Sequence, residues 1–510
     1  MTGISSTSNN IILDTPHERY LKYKKTSETY QIIQLGLTTW QEDISLTPIT
    51  TSKTKRTLAS QTYSIYLFPI DNHDNAILSC ELPSILFNRK HGNIDWNKWI
   101  YKGVPYMNDK QYKQNYKDII DDNVNLISYN TNCFFQLSVE EKKQCDEIIQ
   151  EINETFIKDT TSMNNDYIIK KIPQKQLLYI IHHLSLLNNV DDIRNEIYFS
   201  YCSFSNNKRM ILLTKIRDKE HKAQLLKEET MKRLDRLHMR KGVKLIYDEL
   251  INSNKIIIGH NISLDILFMI SHLGEELPSD YNEFKERMHK YFECVYDTKV
   301  LYEYLQNEGS TFINPIISLA FRDINSVLDK MFPVLLRLEG ENVIIKELQN
   351  ESKSNILKGN NFHNAGYDSF ITGVVFFQLE YIYKSNDNLT KTFNELNNKI
   401  HIMKSMYKWF DLNNEGKFII ENGMAFIFKP NKKYKVSDID IRLIYNDIQL
   451  YNDHVGKVWT CDSYNIMVVM LKNGTEDKKQ LLLTKCDEYN KKEMVFKVYT
   501  LEEYRNKRRK

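Results

Sequence analysis

What most constrains this chain is a pair of short stretches about a hundred residues apart, Ile256-Ile257-Ile258-Gly259-His260-Asn261-Ile262-Ser263-Leu264-Asp265 and His363-Asn364-Ala365-Gly366-Tyr367-Asp368. Each leads into an apolar helix with one aspartate in its first turn. A β-branched run ending in Gly-His-Asn reads as a buried strand and a turn, and Ile266, Leu267, Phe268 and Ile270 then follow at helical spacing. An acid wedged among Leu264, Ile266, Leu267 and Phe268 is costly unless a cation or a set of donors compensates it, and a divalent metal would do so. In the second stretch Asp368 precedes Phe370, Ile371, Val374 and Val375, and Gly366 lets the backbone approach a ligand closely. On one continuous helix His363 and Asp368 would point about 140° apart, so His363 is placed on the approach to the helix, free to face the same site.

These residues resemble the second and third exonuclease motifs of the poly(A)-specific ribonuclease family, DEDD exonucleases of RNase H-like fold. Leu277-Pro278-Ser279-Asp280, Glu283-Phe284-Lys285 and Asp297-Thr298-Lys299 resemble the same family, as do Asp14-Thr15-Pro16 and Glu18-Arg19-Tyr20. The likeness covers most of the chain and is strongest over 11–110 and 240–385. It implies an α/β fold, a mixed sheet flanked by helices, with a small α+β insert and a C-terminal α+β domain like an RNA-recognition motif. It also implies a 3′-to-5′ exoribonuclease that removes poly(A) tails using two Mg2+ ions. The partners implied are RNA with a 3′ poly(A) tail, a 5′ cap and a second copy of the chain. By the same resemblance Asp265 and Asp368 are metal ligands and His363 is the general base that orients the attacking water, with His260, Asn261, Asp297 and Gly366 in support. The family's other two acids form an Asp-x-Glu on the first strand, followed by an apolar residue and a small-Gly-Ile turn. Here the chain opens Met1-Thr2-Gly3-Ile4, just after that motif. The expectation is that the native protein continues upstream of Met1 and that the chain as given is inactive. A non-catalytic RNA-binding or scaffold protein derived from such a nuclease is the alternative. Retention of Asp265, His363 and Asp368 favours the enzyme.

A chain of 510 residues is long enough for two to four domains. With 69 Lys and Arg against 66 Asp and Glu, its formal charge of +3 does not announce a nucleic-acid binder. Seven scattered cysteines without a Cys-x-x-Cys argue against a disulfide framework and a structural zinc site. With no long apolar run and no signal-like start, the protein is expected to be soluble and intracellular, without a membrane, in nucleus and cytoplasm. The basic tail Arg505-Asn506-Lys507-Arg508-Arg509-Lys510 reads as a nuclear signal, an RNA-contacting tail or a solvated terminus.

In chain order, the nuclease domain is expected over 1–137 and 241–395, a small inserted domain over 138–215, a helical connector over 216–240 and the RNA-recognition-motif-like domain over 417–510. Tyr30–Trp40 and Gln61–Pro69 read as neighbouring strands. Residues 216–252 read as one helix, 299–306 and 340–358 as helical, and 385–400 as a polar linker. In the insert the family's Arg-x-x-x-His signature is absent, since neither His182 nor His183 has an Arg four residues earlier. Lys170, Lys171 and Lys175 read either as phosphate contacts or as a solvated face. From 424 the pattern is strand, helix (437–448), strand at Trp459, strand (466–471), helix (476–486), strand (495–499). Trp459 falls near the family's cap-stacking tryptophan and reads as that or as core. Tyr464 is the one ring near the start of the third strand, which lacks the aromatic signature for stacking bases.

Overall fold

A computed structural model describes residues 1–4, 13–42, 56–69, 78–91, 94–121, 137–157, 166–169, 173–187, 197–204, 208–307, 343–347, 364–384, 387–403, 405–413, 424–430, 455–461, 465–471, 496–509 and a few positions between 476 and 487. The helices are α1 (Pro16–Thr29), α2 (Leu82–Lys90), α3 (Trp96–Lys102), α4 (Asp109–Asp121), α5 (Val139–Ile152), α6 (Gln174–Leu187), α7 (Lys219–Arg240), α8 (Lys244–Asn252), α9 (Ser263–Leu273), α10 (Tyr281–Tyr291), α11 (Thr298–Asn307), α12 (Ala365–Lys384), α13 (Asp387–Glu395) and α14 (Leu501–Arg509). The strands are β1 (Gln34–Glu42), β2 (Arg56–Tyr66), β3 (Asp166–Ile169), β4 (Ile197–Phe204), β5 (Lys208–Lys215), β6 (Ile257–Gly259), β7 (Val295–Asp297), β8 (Val343–Glu347), β9 (Lys399–His401), β10 (Trp409–Asp411), β11 (Met424–Pro430), β12 (Val455–Cys461), β13 (Ile466–Leu471) and β14 (Phe496–Thr500). Two compact units result, one of Met1–Asp109 with Gly242–Lys510 and one of Lys110–Lys241.

In the larger unit β1 and β2 pair antiparallel from Gln34↔Tyr66 to Glu42↔Leu58, and β8 joins β2 in parallel. β6 pairs with β7 in parallel, and α12 packs on β1, β2 and β6. The apolar α12 buries Phe370, Ile371, Val374 and Val375, as a helix crossing two sheets has to. The motif-like residues outside the two leading stretches build this frame. Thr15 and Glu18 form a capping box at the start of α1. Buried Asp14 pairs with Arg19 at 3.1 Å and Lys22 at 2.9 Å. Tyr20 donates to the Pro278 carbonyl at 2.7 Å, and Asp280 caps α10.

Three expectations are corrected. Within 340–358, Val343–Glu347 is the strand β8, because β-branched Val343, Ile344 and Ile345 suit a pleated surface and gain a partner in β2. The expected linker 385–400 holds α13 and the start of β9, with Phe393 and Leu396 buried, so polarity there marks only the outer face of a short helix. The single helix over 216–252 breaks into α7 and α8 at Gly242, whose φ of +50° is left-handed and where a side chain would strike the Pro105 carbonyl. The stretch read as a connector, α7, lies within the smaller unit.

The smaller unit pairs its strands in the order β3-β5-β4, all antiparallel. α5 and α6 supply Cys145, Ile152, Ile180, Ile181 and Leu184 to a core shared with Ile169 and Leu213.

Returning to the larger unit, its C-terminal strands form an antiparallel sheet in the order β12-β13-β11-β14. Residues 466–470 of β13 are buried on both faces, so this strand offers no open face for a base. The expected helix 437–448 lies outside the described residues, and the described positions within 476–487 are helical. Residues 501–509, read partly as a free tail, form α14. Arg505 there donates to the Leu13 carbonyl at 3.0 Å and to the Tyr407 hydroxyl. Among the described residues no helix is long and apolar enough to cross a membrane.

Candidate active site

β6 ends at Gly259, and the chain turns through Asn261, whose φ of +53° is left-handed. This turn is tied to Asp297 at the end of β7, which is 1% exposed. The Asp297 carboxylate accepts from the backbone N–H groups of Asn261 (2.8 Å), Ile262 (3.2 Å), Lys299 (2.9 Å) and His401 (3.0 Å). Burial pushes its pKa up to about 6, and the four donors oppose the shift. His260 Nδ1 lies 2.9 Å from the Thr298 hydroxyl, which donates to the Gly259 carbonyl at 3.2 Å. Burial, aided by Lys299 and His401, holds His260 down to about 3, so the ring is neutral near pH 7. His260, Asn261 and Asp297 thus come together, as supports of the turn.

Sequence reasoning missed His401. Its Nδ1 lies 2.8 Å from Asn261 Oδ1, and its Nε2 lies 3.8 Å from Glu303. The alternation Lys399-Ile400-His401-Ile402, which runs past the end of the supposed linker, signals a strand but not a site.

Asp265 stands in the first turn of α9, with Leu264, Ile266, Leu267 and Phe268 buried around it. Its own side chain reaches solvent, which corrects the expectation of a wholly enclosed acid. The apolar neighbours point inward, and the aspartate occupies the uncovered face. Protein still displaces enough water around this recessed carboxyl to push its pKa up to about 6. Asp297 adds to that shift.

The start of α12 is positioned differently. Asn364 Oδ1 accepts from the N–H groups of Gly366 (3.1 Å) and Tyr367 (3.4 Å), while its carbonyl accepts from Asp368 N–H at 2.9 Å. Ala365 N–H donates to Gln34 Oε1 at 3.1 Å, and Ser369 Oγ lies 2.7 Å from Thr38 Oγ1. A methyl group on Gly36 would lie 1.7 Å from the Ala365 carbonyl oxygen. A methyl on Gly366 would lie 2.8 Å from Ser64 Cβ, so Gly366 lets α12 approach β2 closely. Gly36, also missed, carried the signal of a glycine inside a strand. Asp368 follows in the first turn. His363 lies outside the described residues.

α9 continues from β6, and α12 packs against β6. Asp265 and Asp368 are hard oxygen donors of the kind Mg2+ takes, so their chemistry suits that ion. Among the described residues, however, no group of three or more His, Cys, Asp or Glu could hold a metal, so the described donors are an incomplete set. Lys175 lies on α6 in the smaller unit and Trp459 on β12, the side chains of both being outside what is described, and Tyr464 is outside altogether.

A family model described as CAF1 family ribonuclease matches residues 1–376. The chain is 24% identical over 384 residues to a protein of Xenopus laevis named poly(A)-specific ribonuclease PARN, covering 72% of this chain and 55% of that one. To the human protein of the same name it is 26% identical over 380 residues, covering 72% and 54%. To a Bombyx mori protein named pre-piRNA 3′-exonuclease trimmer it is 26% identical over 374 residues, covering 72% and 63%. The chain thus spans about half the length of the first two. Among solved structures, the RNase domain of the yeast Pop2 protein aligns with 51% of this chain and 91% of its own at 14% identity and a TM-score of 0.18.

Proposed function

This chain belongs to the CAF1 family of ribonucleases, and on that premise we propose that it is a 3′-to-5′ exoribonuclease that shortens poly(A) tails. One observation carries the reading. The chain builds two separate supports, the Asp297 clamp and the Gly36 seat, that fix two helix starts each presenting one aspartate. Mg2+ would be held by Asp265 and Asp368, and when bound it supplies charge for activating water and for stabilising the leaving oxygen. His363, one residue before the cap of α12, takes the proton of the attacking water. The remaining acids are assigned to an Asp-x-Glu strand that is not among the described residues. Its support is that β1 and β6 each have a strand partner on one edge only among the described residues, while α12 spans both. A strand laid between them would join the two sheets. The order β12-β13-β11-β14, second-third-first-fourth, supports an RNA-recognition-motif-like C-terminal domain.

The test incubates the native protein with RNA carrying a 3′ adenine tail in magnesium. Stepwise shortening from a free 3′ hydroxyl, abolished by Asp368→Asn, is the expected result. RNA that is bound but never shortened would favour a non-catalytic binding protein, and cleavage of circular RNA would show a different reaction class.

A further inference from the structure

We infer that the partly exposed edge of the β9–β10 hairpin at Trp409 is a contact for single-stranded RNA, built on Trp409 with Lys399 and Lys408. The inference rests on the ribonuclease reading and adds to it a place where the strand runs beyond the site. The pairs Lys399↔Asp411, Ile400↔Phe410 and His401↔Trp409 set alternate residues on opposite faces. Ile400 and Phe410, 2% and 3% exposed, enter the core. The other face packs Trp409 partly against a second core cluster and leaves it half-buried, with a portion open to water.

Two cations gather at that ring. Lys399 Nζ lies 5.5 Å and Lys408 Nζ 5.4 Å from its centroid, and Lys399 also donates to the Glu395 carbonyl. Like charges drawn to one ring repel each other, and an anion beside them relieves that repulsion. Asp411, across from Lys399, has an oxygen occupied by the N–H of Asn413 at 3.0 Å. A single strand of RNA offers phosphates for the ammonium groups and a base face for the indole. An acidic protein surface would meet only the lysines. The face is also continuous with the candidate site, because His401, opposite Trp409, holds the side chain of Asn261 in the turn before Asp265.

The test is equilibrium binding of a labelled single-stranded adenine oligonucleotide to the full chain in EDTA, across a series of salt concentrations. Trp409→Ala is expected to weaken binding by about 5- to 100-fold and Trp409→Phe much less, since a phenyl ring keeps both the packing and the stacking. Lys399→Gln with Lys408→Gln is expected to lower the slope of log affinity against log salt by about 1.4, two phosphate contacts' worth. Wild-type affinity and slope in all three variants would overturn the contact while leaving the ribonuclease reading standing. Equal weakening by both Trp409 substitutions, with an unchanged slope in the lysine variant, would overturn it too. Failure of the wild-type chain to bind the oligonucleotide would overturn both.

Discussion

Asp265 and Asp368 occupy equivalent places in the first turns of α9 and α12, yet the surroundings that fix them have little in common. Around Asp265, backbone donors from the turn, from the start of α11 and from β9 converge on one buried carboxylate, Asp297. Around Asp368, the helix is seated by shape, with β1 and β2 approaching so closely that Gly36 and Gly366 have no room for a methyl group. A hydrogen-bonded clamp fails when its acceptor changes, even at constant volume, and it responds to pH. A steric seat is indifferent to pH and fails when volume is added.

The largest effect is expected from adding that volume. In Gly36→Ala the new Cβ would overlap a backbone carbonyl at 1.7 Å, which no rotamer change relieves, so β1 or α12 has to move. A loss of about 3 kcal/mol or more is expected in urea unfolding. Gly366→Ala, whose nearest neighbour is a side-chain carbon at 2.8 Å, should cost less, about 1–2 kcal/mol. Equal losses at the two positions would mean that the seat is not graded by fit.

Next is the clamp. Asp297→Asn keeps the shape but turns one acceptor oxygen into an amide nitrogen that faces backbone N–H groups. About 2–3 kcal/mol should be lost, since unmet buried donors cost about 1–3 kcal/mol each. Amide hydrogen exchange should rise at Asn261, Ile262, Lys299 and His401 together, and not at Gly366 or Tyr367. Uniform exchange across both helix starts would erase the distinction drawn between the two halves.

The two halves also differed in how much of them could be read from the sequence. The β6–α9 unit was legible because a β-branched strand, a Gly-His-Asn turn and an apolar helix lie consecutively. The β1–β2 pair was legible through its alternation. What escaped depends on residues far apart in the chain. His401 reaches Asn261 across 140 positions, and nothing local to Lys399–His401 marks it as part of a site. Gly36 was visible as a glycine in a strand, but only the arrival of Ala365 against it gives it meaning. The exposure of Asp265 was misjudged for a related reason, since helical spacing says which residues flank an acid and not which face the fold leaves open. β8 and α13 were hidden by polar neighbours, because a short element needs few apolar residues once a partner is supplied from elsewhere.

The smallest expected effect separates the halves by pH. Burial holds His260 near 3 against an ordinary value of 6.5. Below 6.5 the unfolded chain therefore takes up a proton that the folded chain refuses. The stability contributed by this group is whole above 6.5 and is lost as pH falls toward 3, by at most about 1.4 kcal/mol per pH unit. The residue is not wholly enclosed, so solvent screening reduces that figure. Asp297, raised from 3.8 to about 6, acts in the opposite sense, and Asp265, raised likewise but exposed and so screened by solvent, adds less. Their contribution is whole below 3.8 and is lost as pH rises toward 6, which partly masks the histidine in the wild type. His260→Gln removes the histidine's share and leaves the carboxylates. On going from pH 6.5 to about 5 the variant should therefore lose less stability than the wild type, or gain some, while Gly36→Ala should follow the wild-type slope. Urea midpoints at several pH values read this directly, and a His260→Gln profile parallel to the wild type would show that the clamp carries no titrating histidine.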